Sequence, residues 1–322
     1  MFPVYAAISA ASDSLQLSSL FEFDPQSASP LAWVALLCLI LYLIGAVSLW
    51  RKRQKWSLPS TVSFVAGCLV WFAATGLRGN AFAEDLVSVL LFQQITLLVA
   101  APPLLLMGAP GRLILRSVPR SGWGRPVLRA ALAGQRSRLA LVLLHPSVAI
   151  IVAGVAFPAL YFSDAVSWML ALPGGHLILL TLFLVFGVIA GAPLWSLDPL
   201  PRSPSYVVRL IGVLIEIQIH ALFGLILLRS GGAMFSWYAQ DPEAWGITRA
   251  LDQAIGGGLV WSYGELPLLI VLIVTLSKWR KNDMRRAKQR QPQEDADLDD
   301  YNAYLATVAQ RDQRVHTQEG SS

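Results

Sequence analysis

Seven uncharged apolar runs mark the 322-residue chain, at about 31–50, 60–78, 86–107, 140–162, 175–196, 207–229 and 255–278. At about 1.5 Å of rise per residue, runs of this length match a hydrocarbon core of about 30 Å. A helix satisfies its own backbone hydrogen bonds, which lipid cannot do, so each run is read as a membrane-spanning helix. The pattern predicts an all-α polytopic membrane protein, a bundle of seven transmembrane helices.

Charge then orients the bundle. Of the 25 Lys and Arg residues, three (Arg78, Arg229 and Arg249) fall on one side of the predicted bundle, leaving 22 on the other. Basic segments stay cytoplasmic, which sets the N-terminus outside and the C-terminus inside. Three regions follow: an extracytoplasmic arm over 1–30, a seven-helix membrane domain over 31–280, and a charged cytoplasmic tail over 281–322. The arm has no Lys or Arg and so no basic n-region of a secretory signal. In the tail, acidic "EDADLDD" separates a basic stretch from Tyr301, Tyr304, Leu305 and Val308, whose spacing predicts a short helix after a flexible linker. Trp237, Tyr238 and Trp245 in the external loop over 229–251 fit an interfacial aromatic belt. The arginine-rich loop over 108–138 fits either a solvated basic loop or a helix at the headgroup boundary.

Composition agrees: 55% hydrophobic, 14% charged and a mean hydropathy of +0.55. The net charge of +5 reflects topology and anionic membrane lipids, with no nucleic-acid partner indicated. Cys38 and Cys68, one in each of the first two spans, read as small buried hydrophobes.

Polar groups inside the bilayer are the functional candidates, since each is costly unless paired. The third span carries adjacent Gln93 and Gln94, followed by Pro102 and Pro103. The sixth carries Glu216 and His220 at i, i+4, on one helical face. The seventh opens with Asp252 and Gln253, passes Gly256 to Gly258, and holds Glu265 near its centre. His176 opens the fifth. The glycine run permits close helix approach, so Glu265 is expected to reach His220, with Gln93 or Gln94 completing a polar network.

Several strings, in order, resemble the CtaG-type cytochrome c oxidase assembly family: "VAAPPLLLMGAP", "HPSVA", "PALY", "GGH", "DPLPR", "IHALFG", "DQAIGGGLVWSYGELPLLIVL" and "YNAYLA". The similarity covers about 35–310. It implies a multi-pass plasma-membrane protein that works with cytochrome c oxidase subunits, is not an enzyme, and has a possible link to copper delivery. It also implies two histidines four apart around a glutamine in the third span. Here that segment is Leu90, Leu91, Phe92, Gln93 and Gln94, which keeps the central glutamine and loses both imidazoles. A later histidine of the fifth span is also missing, near Leu180 or Leu182. His176 and His220 match family positions and are the candidate metal residues. An amide is a poor ligand for soft copper. Two readings follow: a scaffold whose network replaces the metal site, or a changed copper site using His176, His220, Glu265 and Met169 or Met234.

Other classes fare worse. A retinal protein needs a Schiff-base lysine deep in its last helix, and none precedes Lys278 there. Paired haem imidazoles at one depth are not evident, and no zinc-hydrolase motif is present. No small-molecule substrate is indicated. The serious alternative is a transporter or a proton or ion pathway through Glu216, His220 and Glu265.

Overall fold

The computed structural model describes residues 21–83, 85–122, 124–195, 197–198, 205–235 and 245–319. Most of the N-terminal arm, with Trp237 and Tyr238, lies outside the described residues. The chain divides into two units, Met1–Leu272 and Ile273–Ser322.

Helices α1 (Pro30–Arg51) and α2 (Leu58–Gly76) both begin at a serine cap with proline in the first turn. The Ser29 hydroxyl accepts from Leu31 N and the Ser57 hydroxyl from Ser60 N, which satisfies donors a new helix leaves open. After the short α3 (Gly79–Phe82), the third run is built in pieces: α4 (Val87–Ile95), a π-helical turn (Thr96–Ala100) and α5 (Ala101–Met107). Pro102 and Pro103 cannot donate to carbonyls one turn back, and their rings crowd those carbonyls. The helix therefore widens by one residue instead of breaking. The loosened Leu97 and Leu98 carbonyls face Gly187, where a β-carbon would lie 2.7 and 2.4 Å from them. Glycine is required there.

The basic connection folds as α6 (Pro110–Ser117), α7 (Gly124–Arg136) and α8 (Arg138–Leu143). The expected fourth span is divided at Pro146. His145 caps a new helix, its Nδ1 accepting from Ser147 N at 3.2 Å, and α9 (Pro146–Gly154) runs into a second π-helical turn (Val155–Ala159) around Pro158. The short α10 (Ala165–Leu170) precedes α11 (Gly175–Trp195), α12 (Tyr206–Arg229) and α13 (Arg249–Glu319). Among the described residues, six helical stretches are long and apolar enough to cross a membrane; the fourth apolar run, Ser147–Ala159, is shorter. Among the described residues the architecture is all-helical, with one isolated β-bridge between Phe23 and Leu77. In the second unit, helix occupies the acidic stretch expected as a linker, and Tyr301, Tyr304 and Leu305 are exposed.

The third run collects contacts from the rest of the first unit. Helix α5 packs against α2 and α11, and α6 packs against α1. The Tyr42 hydroxyl donates to Gly108 O at 2.7 Å and the Ser63 hydroxyl to Leu104 O at 2.8 Å, so α1 and α2 satisfy carbonyls near its proline-disturbed end. At the other end Asp252 of α13 caps α4. Its carboxylate accepts from Val87 N at 2.7 Å, from Ser88 N at 3.1 Å and from the Ser88 hydroxyl. Asp198 does likewise for α6, accepting from Gly111 N at 2.8 Å and Arg112 N at 2.7 Å. A carboxylate suits both positions because helix N-termini carry partial positive charge.

The glycine triplet of α13 serves two neighbours. A β-carbon on Gly256 would meet Leu91 of α4 at 2.7 Å, and one on Gly257 would meet Gly224 O of α12 at 2.6 Å. Gly258 has nothing within 4 Å. Gly257→Ala is therefore expected to destabilise the protein by about 1–3 kcal/mol through overpacking. Gly258→Ala, which meets no such clash, leaves stability unchanged or slightly raised. Thermal unfolding of both variants in one detergent checks the contrast.

Candidate functional site

The two adjacent glutamines point into different sites, because neighbours on a helix lie about 100° apart. Gln93 Nε2 donates to Ala74 O at 2.8 Å and to Asn80 Oδ1 at 3.0 Å. Asn80 Nδ2 in turn donates to Ser27 O at 2.7 Å. Main-chain carbonyls can only accept, so Ser27 O and Ala74 O fix both amide orientations. Gln93 Oε1 is left facing His176 Nε2 at 3.0 Å. An amide oxygen also only accepts, so His176 must carry its proton on Nε2 and donate it to Gln93. The result is an ordered relay of Ser27, Asn80, Gln93 and His176 joining the chain before α1, the end of α2, α3, α4 and α11.

Gln94 faces an aromatic interior. Its Oε1 accepts from the Tyr161 hydroxyl at 2.6 Å, and its Nε2 is buried without a hydrogen-bond partner. Tyr161 packs on Phe223 and Phe235, with ring centroids 5.5 and 5.3 Å away. Phe157 and Phe183 join the same cluster. His220 is fully buried beside it, its ring edge-on to Phe157 at 5.6 Å. Neither ring nitrogen of His220 has a hydrogen-bond partner.

The expected union of the glutamines with His220 and Glu265 is thus not formed by hydrogen bonds. Gln93 turns to Asn80 and His176, while Gln94 turns to Tyr161. Glu265 is partly buried, with Oε1 unpartnered. Glu216 is buried one turn before His220 without bonding to it. Asp252 is occupied with Val87 and Ser88. Gln253 holds the segment after α12: its Oε1 accepts from Met234 N at 2.7 Å, and its Nε2 donates to Ser230 Oγ at 2.7 Å and Gly232 O at 3.2 Å. A smaller link joins the first π-helical turn to α13, where Thr96 Oγ1 lies 3.3 Å from the Tyr263 hydroxyl.

Three participants escaped the sequence reading. Asn80 falls between two apolar runs, Tyr161 near the end of another, and Ser88 within the third run without any pattern that singles it out. A buried amide has more donors and acceptors than one partner can satisfy, so a search for unclaimed polar residues near predicted helix ends would have found Asn80.

A family model for the cytochrome c oxidase caa3 assembly factor matches residues 40–282. The chain belongs to that family. The chain is 30% identical over 285 residues to an uncharacterized protein of Mycobacterium bovis and to one of Mycobacterium tuberculosis, covering 83% of this chain and 42% of each relative. An uncharacterized protein of Mycobacterium leprae is 30% identical over 275 residues, at 83% and 41%. The chain therefore spans about two fifths of the length of these relatives. No solved structure matches it.

Copper, which the resemblance implies, can be tested against these donors. His176 has committed Nε2 as a donor, leaving only Nδ1 for a ligand bond. Among the described residues, no three His, Cys, Asp or Glu side chains gather as a metal site. Cys38 and Cys68 are free thiols on α1 and α2. The described His, Cys, Asp and Glu side chains thus do not fit a multi-ligand copper centre.

Gln93→Leu removes the partner of Asn80, His176 and Ala74 O together, and is expected to cost about 2–4 kcal/mol. Tyr161→Phe removes one bond and leaves Gln94 unpaired, at about 1–2 kcal/mol. Thermal unfolding in detergent should rank the two in that order.

Proposed function

We propose that the protein is an assembly factor for a haem–copper cytochrome c oxidase, acting as a non-enzymatic scaffold on oxidase subunits within the plasma membrane. The family match over 40–282 carries this reading. In it the bundle has seven spans, with the N-terminus outside and the C-terminus inside. The shorter fourth apolar helix supports that count by packing against α11 and α12, both long enough to span. The one-sided distribution of Lys and Arg supports the orientation. The scaffold form of the reading is favoured by His176, which is tied to Gln93 where the resemblance places metal chemistry.

Loss of the protein is expected to lower the amount of assembled oxidase, read from haem absorbance and from the intact complex on native gels, while uptake of other solutes stays unchanged. Unaltered oxidase would refute the assignment. Copper analysis of the purified protein separates scaffold from carrier, because a stoichiometric metal content is incompatible with the metal-free form.

One observation favours a second reading, a proton or ion pathway through Glu216, His220 and Glu265. Both His220 nitrogens and Glu265 Oε1 are buried without hydrogen-bond partners, and buried ionisable groups often mark such routes. That reading requires a flux in proteoliposomes that Glu265→Gln abolishes. A wild type with no flux ends it.

A further inference from the structure

Between Asp85 and Asp164 the chain contains no acidic residue and no lysine, but it contains seven arginines: Arg112, Arg116, Arg120, Arg125, Arg129, Arg136 and Arg138. Two have work inside the fold. Arg112 pairs with Asp198 and donates to Leu197 O, and the Arg116 guanidinium lies 5.9 Å from the Trp56 ring centroid. Among the described residues Arg120, Arg125, Arg129 and Arg138 have no ion pair, and all four are exposed. Apolar side chains alternate with them and are uncovered too: Val127 and Leu132 on α7, then Leu139 and Val142 on α8 at 66% and 62% exposure.

A soluble acidic partner would account for the arginines but leave these aliphatic groups in water. A membrane surface accounts for both. The candidate span Val87–Ser117 precedes the segment and the apolar helix Ser147–Ala159 follows it, so a bilayer around these helices would hold both its ends near headgroup level. Guanidinium groups bind phosphate oxygens through paired N–H bonds, while aliphatic side chains enter the acyl boundary. We propose that α7 and α8, over 124–143, form a docking surface for anionic phospholipid, with the arginines on lipid phosphates and Val127, Leu132, Leu139 and Val142 in the interface. This inference is independent of the oxidase reading.

The test is amide hydrogen exchange over 124–143 in the full-length protein, reconstituted in nanodiscs of phosphatidylcholine alone or of phosphatidylcholine with phosphatidylglycerol. Exchange is expected to be at least roughly tenfold slower with the anionic lipid, since each basic residue near such a surface favours it severalfold. The protection should weaken at high salt and disappear in an Arg125→Gln, Arg129→Gln, Arg138→Gln variant whose membrane helices still exchange slowly. Inorganic phosphate added to the phosphatidylcholine discs should give no protection. Equal exchange in the two lipids overturns the proposal, as does protection by phosphate alone. Should the triple variant fail to fold, the wild-type comparison between the two lipids still decides.

Discussion

A polar group placed in hydrocarbon must find its partner within the protein, and the first unit is organised around that requirement. The third run concentrates the demand. Its two prolines weaken the internal hydrogen-bond ladder, and its two glutamines add amide groups that are costly to leave open. Tyr42, Ser63, Asn80, His176, Tyr161 and Asp252 meet these needs from other parts of the chain. Because each bond fixes one neighbour against this run, satisfying the third run also sets the arrangement around it. Gly187, Gly256 and Gly257 remove the side chains that would hold neighbours away.

The same requirement changes the meaning of the histidines. A metal-binding imidazole commonly donates its second ring N–H to an outer partner, which fixes its tautomer. His176 has such a partner in Gln93, but no converging ligand set accompanies it among the described residues. His220 is the reverse case: deeply buried, edge-on to the Phe157 ring and bonded through neither nitrogen. One histidine is structural glue. The other holds unused hydrogen-bonding capacity, which is why it belongs to the pathway reading and not to the scaffold.

The basic face obeys a different rule from the interior. At the start of α6 charge is neutralised locally, where Asp198 meets the helix N-terminus and Arg112. Among the described residues, Arg125, Arg129 and Arg138 on α7 and α8 have no ion pair, and exposed aliphatic residues are interleaved with them. Neutralisation there has to come from outside the chain, whereas the Ser27, Asn80, Gln93 and His176 relay is closed within it.

Six of the seven expected spans were legible from sequence because a stretch about 20 residues long and without charges has few alternatives to a membrane helix. The family was legible from ordered strings such as "IHALFG" and "DQAIGGGLVWSYGELP". The importance of Gln93, Gln94, Asp252 and Gln253 was also visible, since the cost of a buried polar group is a property of the residue itself. Their partners were not. Whether Gln93 meets His220 or His176 depends on which helix faces which, and hydropathy is blind to rotation about a helix axis when all sides are apolar. Nor could sequence foretell that the prolines would widen the third run into a π turn or that Pro146 would shorten the fourth. Those outcomes depend on whether neighbours can receive the displaced carbonyls, as Gly187 does. Sequence determined the membrane class and the groups requiring partners; packing chose the partners, because hydrogen bonds need contact and direction that only assembled helices provide.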